Sequence, residues 1–214
     1  MPSFLDEDAA RRMIVYTADK IIGNKALLSE IDGRTGDGDH GIGMALGMRK
    51  AKEAVGAAPG SGNVWDVFEK AGKAMLMSMG GASGVIFGSL FMAGARGNEP
   101  KKSLSPADFA LMMEKSLAAI RERGKAGLGD KTMVDALEPA VKAMKRTEAE
   151  GFLPMFEAAV QAAAEGVENT KKYQAKFGRA KSLMERAVGF EDPGAVSVWI
   201  IFRSMHEFAR EALS

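Results

Sequence analysis

Val64-Trp-Asp-Val-Phe-Glu-Lys-Ala-Gly-Lys-Ala-Met-Leu-Met-Ser-Met79 decides the fold class. Its apolar residues Val64, Phe68, Ala71, Met75 and Met79 return every three or four positions, the spacing that puts them on one face of an α-helix. The same period runs through most of the chain. Ile14, Ala18, Ile21 and Leu28 form an earlier stripe, and Phe109, Met113, Leu117 and Ile120 a later one. Met133, Leu137, Val141 and Met144 follow, then Leu153, Phe156, Val160 and Val167, and finally Val198, Phe202, Met205 and Ala209. Two glycine-containing helices, about Gly41 to Val55 and about Ser83 to Ala95, complete the set.

Breaks fall between the stripes, at Ala58-Pro-Gly-Ser-Gly, Arg96-Gly-Asn-Glu-Pro and Gly124-Lys-Ala-Gly-Leu-Gly-Asp. Ser105-Pro106 and Asp192-Pro193 read as a helix N-cap followed by proline in the first turn. Pro139 lies inside a periodic segment and is expected to kink it. No useful strand alternation appears, and short loops favour antiparallel neighbours. The expectation is an all-α fold, a bundle or closed barrel of about eight amphipathic helices, forming one domain over residues 1–214. The 15 methionines lie mostly on the apolar stripes and read as core filler.

Lys and Arg number 29 against 28 Asp and Glu, so no basic field favours nucleic acid. The absence of cysteine excludes disulfides and thiolate chemistry, and two separated histidines, His40 and His206, make a zinc centre unsupported. The amino terminus has neither the basic head nor the apolar stretch of a signal peptide, and no run approaches the roughly 20 apolar residues of a membrane span. A cytoplasmic protein without membrane partners is expected.

Oxygen chemistry remains, and it concentrates in Ile31-Asp-Gly-Arg-Thr-Gly-Asp-Gly-Asp-His-Gly41. Asp-Gly pairs alone mark tight turns. Three aspartates in eight residues go further: Asp32, Asp37 and Asp39 repel one another unless a hard cation lies between them, and held in a fold they would be costly as buried anions. An EF-hand is excluded because Ile42-Gly-Met-Ala-Leu-Gly-Met is apolar where further ligands belong. Mg2+, which completes its shell with water and phosphate oxygens, fits better and implies a nucleotide. Glycine-rich or polar clusters at other helix ends, Gly80-Gly-Ala-Ser-Gly84, Gly124 to Thr132 and Asp192-Pro-Gly-Ala195, add N–H groups and positive dipole ends suited to phosphate. None is a nucleophile elbow, since Ser83 lacks the second glycine, nor a Walker A loop, since Asp130 stands where lysine should follow glycine.

Together, Gly36-Asp-Gly-Asp-His-Gly-Ile-Gly-Met44, Gly80-Gly-Ala-Ser-Gly84, Gly129-Asp-Lys-Thr-Met-Val-Asp-Ala-Leu-Glu-Pro-Ala140, Gly178-Arg-Ala180 with Glu185-Arg186, and Asp192-Pro-Gly-Ala195 resemble the L subunit of dihydroxyacetone kinases over nearly the whole chain. The resemblance implies a barrel of eight antiparallel helices with the nucleotide at one end, and two Mg2+ ions held by Asp32, Asp37 and Asp39. It implies that His40, Gly41, Ile42, Gly43 and Met44 wrap the phosphates and that Ala82, Ser83 and Gly124 line the nucleotide. By the same resemblance Met133 packs on adenine, Arg179 is the cation for phosphate or ribose, and Asp192, Pro193 and Gly194 complete the wall. Lys131 is expected to be an exposed loop lysine, Glu185 and Arg186 a structural ion pair, and His206 a surface residue.

The implied partner is a separate K subunit that holds the ketose, so the chain alone is catalytically incomplete. The family uses either ATP as co-substrate or resident ADP recharged by a phosphotransferase-system phosphocarrier, and the residues do not choose between them. Gly43 replaces a common asparagine, and Arg179 to Pro193 departs from the usual Ser-Tyr-Leu-Gly-Glu-Arg-Ser. An erythrulose kinase subunit and a nucleotide-responsive regulator are therefore alternatives to dihydroxyacetone phosphorylation.

Overall fold

The computed structural model describes residues 4–57 and 60–212. Ala58 and Pro59, at the expected break after the third helix, lie outside the described residues, as does the start of the amino terminus, residues 1–3. Nine α-helices are present among the described residues: α1 (Glu7–Gly23), α2 (Lys25–Thr35), α3 (His40–Ala57), α4 (Trp65–Met79), α5 (Gly81–Met92), α6 (Pro106–Gly124), α7 (Val134–Thr147), α8 (Phe152–Thr170) and α9 (Pro193–Ala212). The only paired strands among those residues are two-residue pieces, β1 (Leu5–Asp6) and β2 (Ser103–Leu104), antiparallel with Leu5 opposite Leu104. No described helix is long and apolar enough to cross a membrane.

The expected stripe from Ile14 to Leu28 is divided. Asn24 ends α1, its side-chain amide donating to Lys20 O at 2.8 Å, and Leu28 belongs to α2. Burial continues in register across this tight break, so hydrophobic spacing alone did not reveal it. The proline-led starts are as expected. Ser105 forms a reciprocal capping box with Asp108 ahead of Pro106, and Asp192 Oδ2 accepts the Ala195 N–H at 2.7 Å.

Consecutive helices pack together from α3 through α9, while α1 packs against both α3 and α9 and α2 lies against α3 and α9. The shared interior is apolar, with Phe109 at its aromatic centre. Its ring meets Phe156 edge-on at 5.2 Å and also contacts Phe68 and Phe152, tying α4, α6 and α8 together. Met13, Met44, Met48, Met75, Met144 and Met155 are fully or almost fully buried there, as core filler should be.

Pro139 sits inside α7 and has no N–H for the Asp135 carbonyl one turn earlier. That carbonyl lies where α8 passes closest: a Cβ on Gly166 would stand 2.2 Å from Asp135 O. Proline on one helix and glycine on the other thus belong to one close crossing. The crossing positions Asp135, whose carboxylate organises part of the site.

Candidate functional site

Asp32 is on the last turns of α2, and Asp37 and Asp39 lie in the short connection to α3. One oxygen from each comes within 4.8 Å of the others. Asp32 is half-buried and its Oδ2 accepts the His40 N–H at 3.1 Å, fixing the start of α3 beside the end of α2. Asp37 and Asp39 are 36% and 69% exposed in their side chains, which corrects the expectation of three buried anions. Desolvation first, and then the neighbouring Asp37 charge, raise the Asp39 pKa, while Arg179 works in the opposite direction. Arg179 Nη1 lies 2.7 Å from Asp37 Oδ2, and Nη2 lies 3.9 Å from Asp39 Oδ2. The arginine expected for phosphate therefore faces the acidic cluster from a separate loop.

A chain of contacts ties several of the expected site residues together. His40 Nε2 and Ser197 Oγ are 2.8 Å apart, joining α3 to the first turns of α9. The His40 ring also packs on Phe87 of α5 at 5.8 Å. Burial holds the imidazole below its ordinary pKa, against the upward influence of Asp32 and the Pro193 carbonyl. Gly80 and Gly81, both with positive φ, place Ala82 and Ser83 at the exposed start of α5. Gly124, ending α6, meets Ile86 of α5, and Gly194 meets Met133 at the start of α7.

Not every expected residue faces outward. Ile42 is 55% exposed, whereas Met44 is fully buried and Met133 nearly so. Gly41 is pressed against α2 and Gly43 is part-buried on α3. The Met44 side chain therefore serves packing.

Two expectations fail. Lys131 is only 2% exposed, and its Nζ donates to Thr170 O at 2.7 Å and to Phe190 O. A lysine is buried when carbonyl acceptors converge on it, and these lie far away in sequence. Glu185 and Arg186 are both exposed and form no ion pair with each other among the described contacts. They are adjacent in the 3-10 segment Arg179–Ala187, and side chains one position apart on a helical turn point in different directions. His206 is partly exposed on α9.

Residues that sequence reasoning passed over complete the arrangement. Asp135 accepts Gly129 N–H at 2.6 Å and Thr132 N–H at 2.8 Å, holding the loop before α7. An acidic residue in a helix's first turn was the available signal. Lys176 pairs with Asp130 at 2.6 Å and lowers its pKa. Ser197 carried no signal, because its partner His40 is 157 residues distant.

Asp192 is the site's most perturbed acid, its pKa pushed up by burial to about 7 despite the Ala195 N–H bond. Because the folded value lies above the free value of 3.8, the unfolded chain loses its proton first and stability falls as pH rises from about 3.8 to about 7. Asp192→Asn, which can still cap α9, should therefore gain stability relative to the wild type across that interval, by a few kcal/mol at most, and hold the gain above it. Chemical denaturation of both proteins at several pH values measures this difference.

A helical fold in which three carboxylates and an arginine lie beside the joined starts of α3 and α9 is the class defined by this geometry. Residues 34–207 match the DAK2 domain, and the chain belongs to that family. It is 35% identical to the PEP-dependent dihydroxyacetone kinase 1, ADP-binding subunit DhaL, of Listeria innocua, over 94% of this chain and 96% of that one. It is 38% identical to the D-erythrulose kinase of Mycolicibacterium smegmatis over 83% of this chain but 31% of the relative. The crystal structure of the dihydroxyacetone kinase from C. freundii in complex with AMP-PNP and Mg2+ superposes with a TM-score of 0.73 at 25% identity, covering 94% of this chain and 34% of that one.

Proposed function

We propose that this chain is the nucleotide-binding phosphotransfer subunit of a dihydroxyacetone kinase, a cytoplasmic enzyme whose ketose is held by a separate K subunit. The observation that carries the reading is the set of three carboxylates within 4.8 Å, faced by Arg179 at the end where α3, α5 and α9 begin. The residues fit a hard divalent cation: all three donors are oxygens, and their mutual repulsion favours added positive charge. Asp32, Asp37 and Asp39 would hold two Mg2+ ions, which when bound neutralise phosphate oxygens during transfer.

The chain's own residues bind and orient the nucleotide. Arg179 offers a guanidinium to the phosphates. The first turns of α3 and α5, with His40–Gly43, Ala82 and Ser83, offer backbone N–H groups. Gly124 and Asp192–Gly194 form the nucleoside wall, with the nearly buried Met133 packed behind Gly194. The contact order, running from α3 to α9 with α1 joining both ends, supports a single barrel of antiparallel helices over residues 1–214.

The near-complete coverage of the Listeria subunit, named PEP-dependent and ADP-binding, favours resident ADP recharged by a phosphocarrier of the phosphotransferase system. The resemblance to D-erythrulose kinase supports a second reading in which the acceptor is a tetrulose. Titration calorimetry should show ADP binding that requires Mg2+. Mixed with its K subunit and a phosphorylated carrier, the chain should then convert dihydroxyacetone to its phosphate. Phosphorylation of erythrulose alone would select the second reading, and ADP binding indifferent to Mg2+ would overturn both.

A further inference from the structure

Between α8 and α9 the chain leaves the helical body at Thr170 and returns at Phe190, carrying Arg179 on the way. Both ends of this excursion present a backbone carbonyl to the same group: Lys131 Nζ donates to Thr170 O at 2.7 Å and to Phe190 O. Gly189 N–H donates to Lys171 O at 2.8 Å, closing the base once more. Lys131 is held in place from below. Asp135 clamps the backbone on either side of it, through Gly129 and Thr132, and Lys131 itself has a positive φ of 59°. Asp130, its neighbour, receives Lys176 of the excursion through both backbone and side chain.

A buried ammonium is an expensive way to fill space, and an apolar side chain of similar size would pack the same volume. What the ammonium does that an apolar group cannot do is join two carbonyls twenty residues apart in sequence. We infer that Lys131 is a positioning residue: it closes the base of the 171–190 excursion and so sets Arg179 against Asp37 and Asp39. The role rests on the reading of Arg179 as a nucleotide-site cation, and it adds a residue that touches neither metal nor nucleotide.

A double-mutant cycle on the full chain tests it, with Mg2+ and ADP as the probe. Lys131→Met should lower Mg-ADP affinity about tenfold in the wild-type background and add almost nothing in Arg179→Met, because the lysine acts through the arginine. An equal loss in both backgrounds, or no loss in either, overturns the inference. Hydrogen exchange without nucleotide supplies a readout independent of the functional reading. Amides of 171–190 should exchange faster in Lys131→Met, with those of α7 and α8 unchanged. Unaltered exchange in the excursion also overturns it, even if the wild type binds no Mg-ADP and the functional proposal has failed. Should the methionine variant not fold, Lys131→Gln, whose amide is one bond shorter and so cannot reach both carbonyls at once, carries the same comparisons.

Discussion

Asp37→Asn should reduce Mg2+-dependent ADP affinity by at least about 100-fold, the change that accompanies losing roughly 3 kcal/mol of charge pairing. The helical circular dichroism and the denaturation midpoint should stay close to wild type. Asp37 is part-exposed, and its ion pair with Arg179 involves a side chain that is 69% exposed. Such pairs contribute about 0–1 kcal/mol to stability, and asparagine keeps the turn preference of the residue it replaces. Charge is the main property removed. Calorimetric titration at fixed Mg2+ measures the effect, and unchanged affinity would mean that these carboxylates do not hold the cation.

Gly41→Ala should fail for a different reason. A Cβ at position 41 would stand 2.2 Å from the Lys25 carbonyl and 2.6 Å from Ser29 Oγ, so backbone of α2 must move. Overpacking of this kind costs about 1–3 kcal/mol, and a rigid carbonyl as the obstacle puts the expected loss at the upper end or beyond. The displacement would also separate Asp32, on α2, from Asp39 and His40 at the start of α3. Loss of stability in denaturant and loss of ADP binding should therefore appear together. Alanine tolerated without either change would show that α2 and α3 can part freely.

What could be read from sequence was local. The stripe Val64, Phe68, Ala71 and Met75 is buried as its period requires, and Asp32, Asp37 and Asp39 converge because eight residues of glycine-rich chain can scarcely keep them apart. What escaped depended on groups distant in sequence. Lys131 looked like a surface lysine because its acceptors are 39 and 59 residues away. The break at Asn24 escaped because Leu28 remains buried on the far side of it. Glu185 and Arg186 misled because neighbours in sequence on a helical turn do not face each other.

The joining of α1 and α3 to α9 has a consequence for the order in which the protein is made. The acidic cluster emerges from the ribosome well before Asp192, Pro193, Gly194 and Ser197, which belong to a segment translated much later. His40 waits through 157 residues of synthesis for its hydroxyl partner. A nascent chain therefore carries the acidic half of the proposed site long before the half proposed to enclose a nucleotide, and the two come together only when α9 docks.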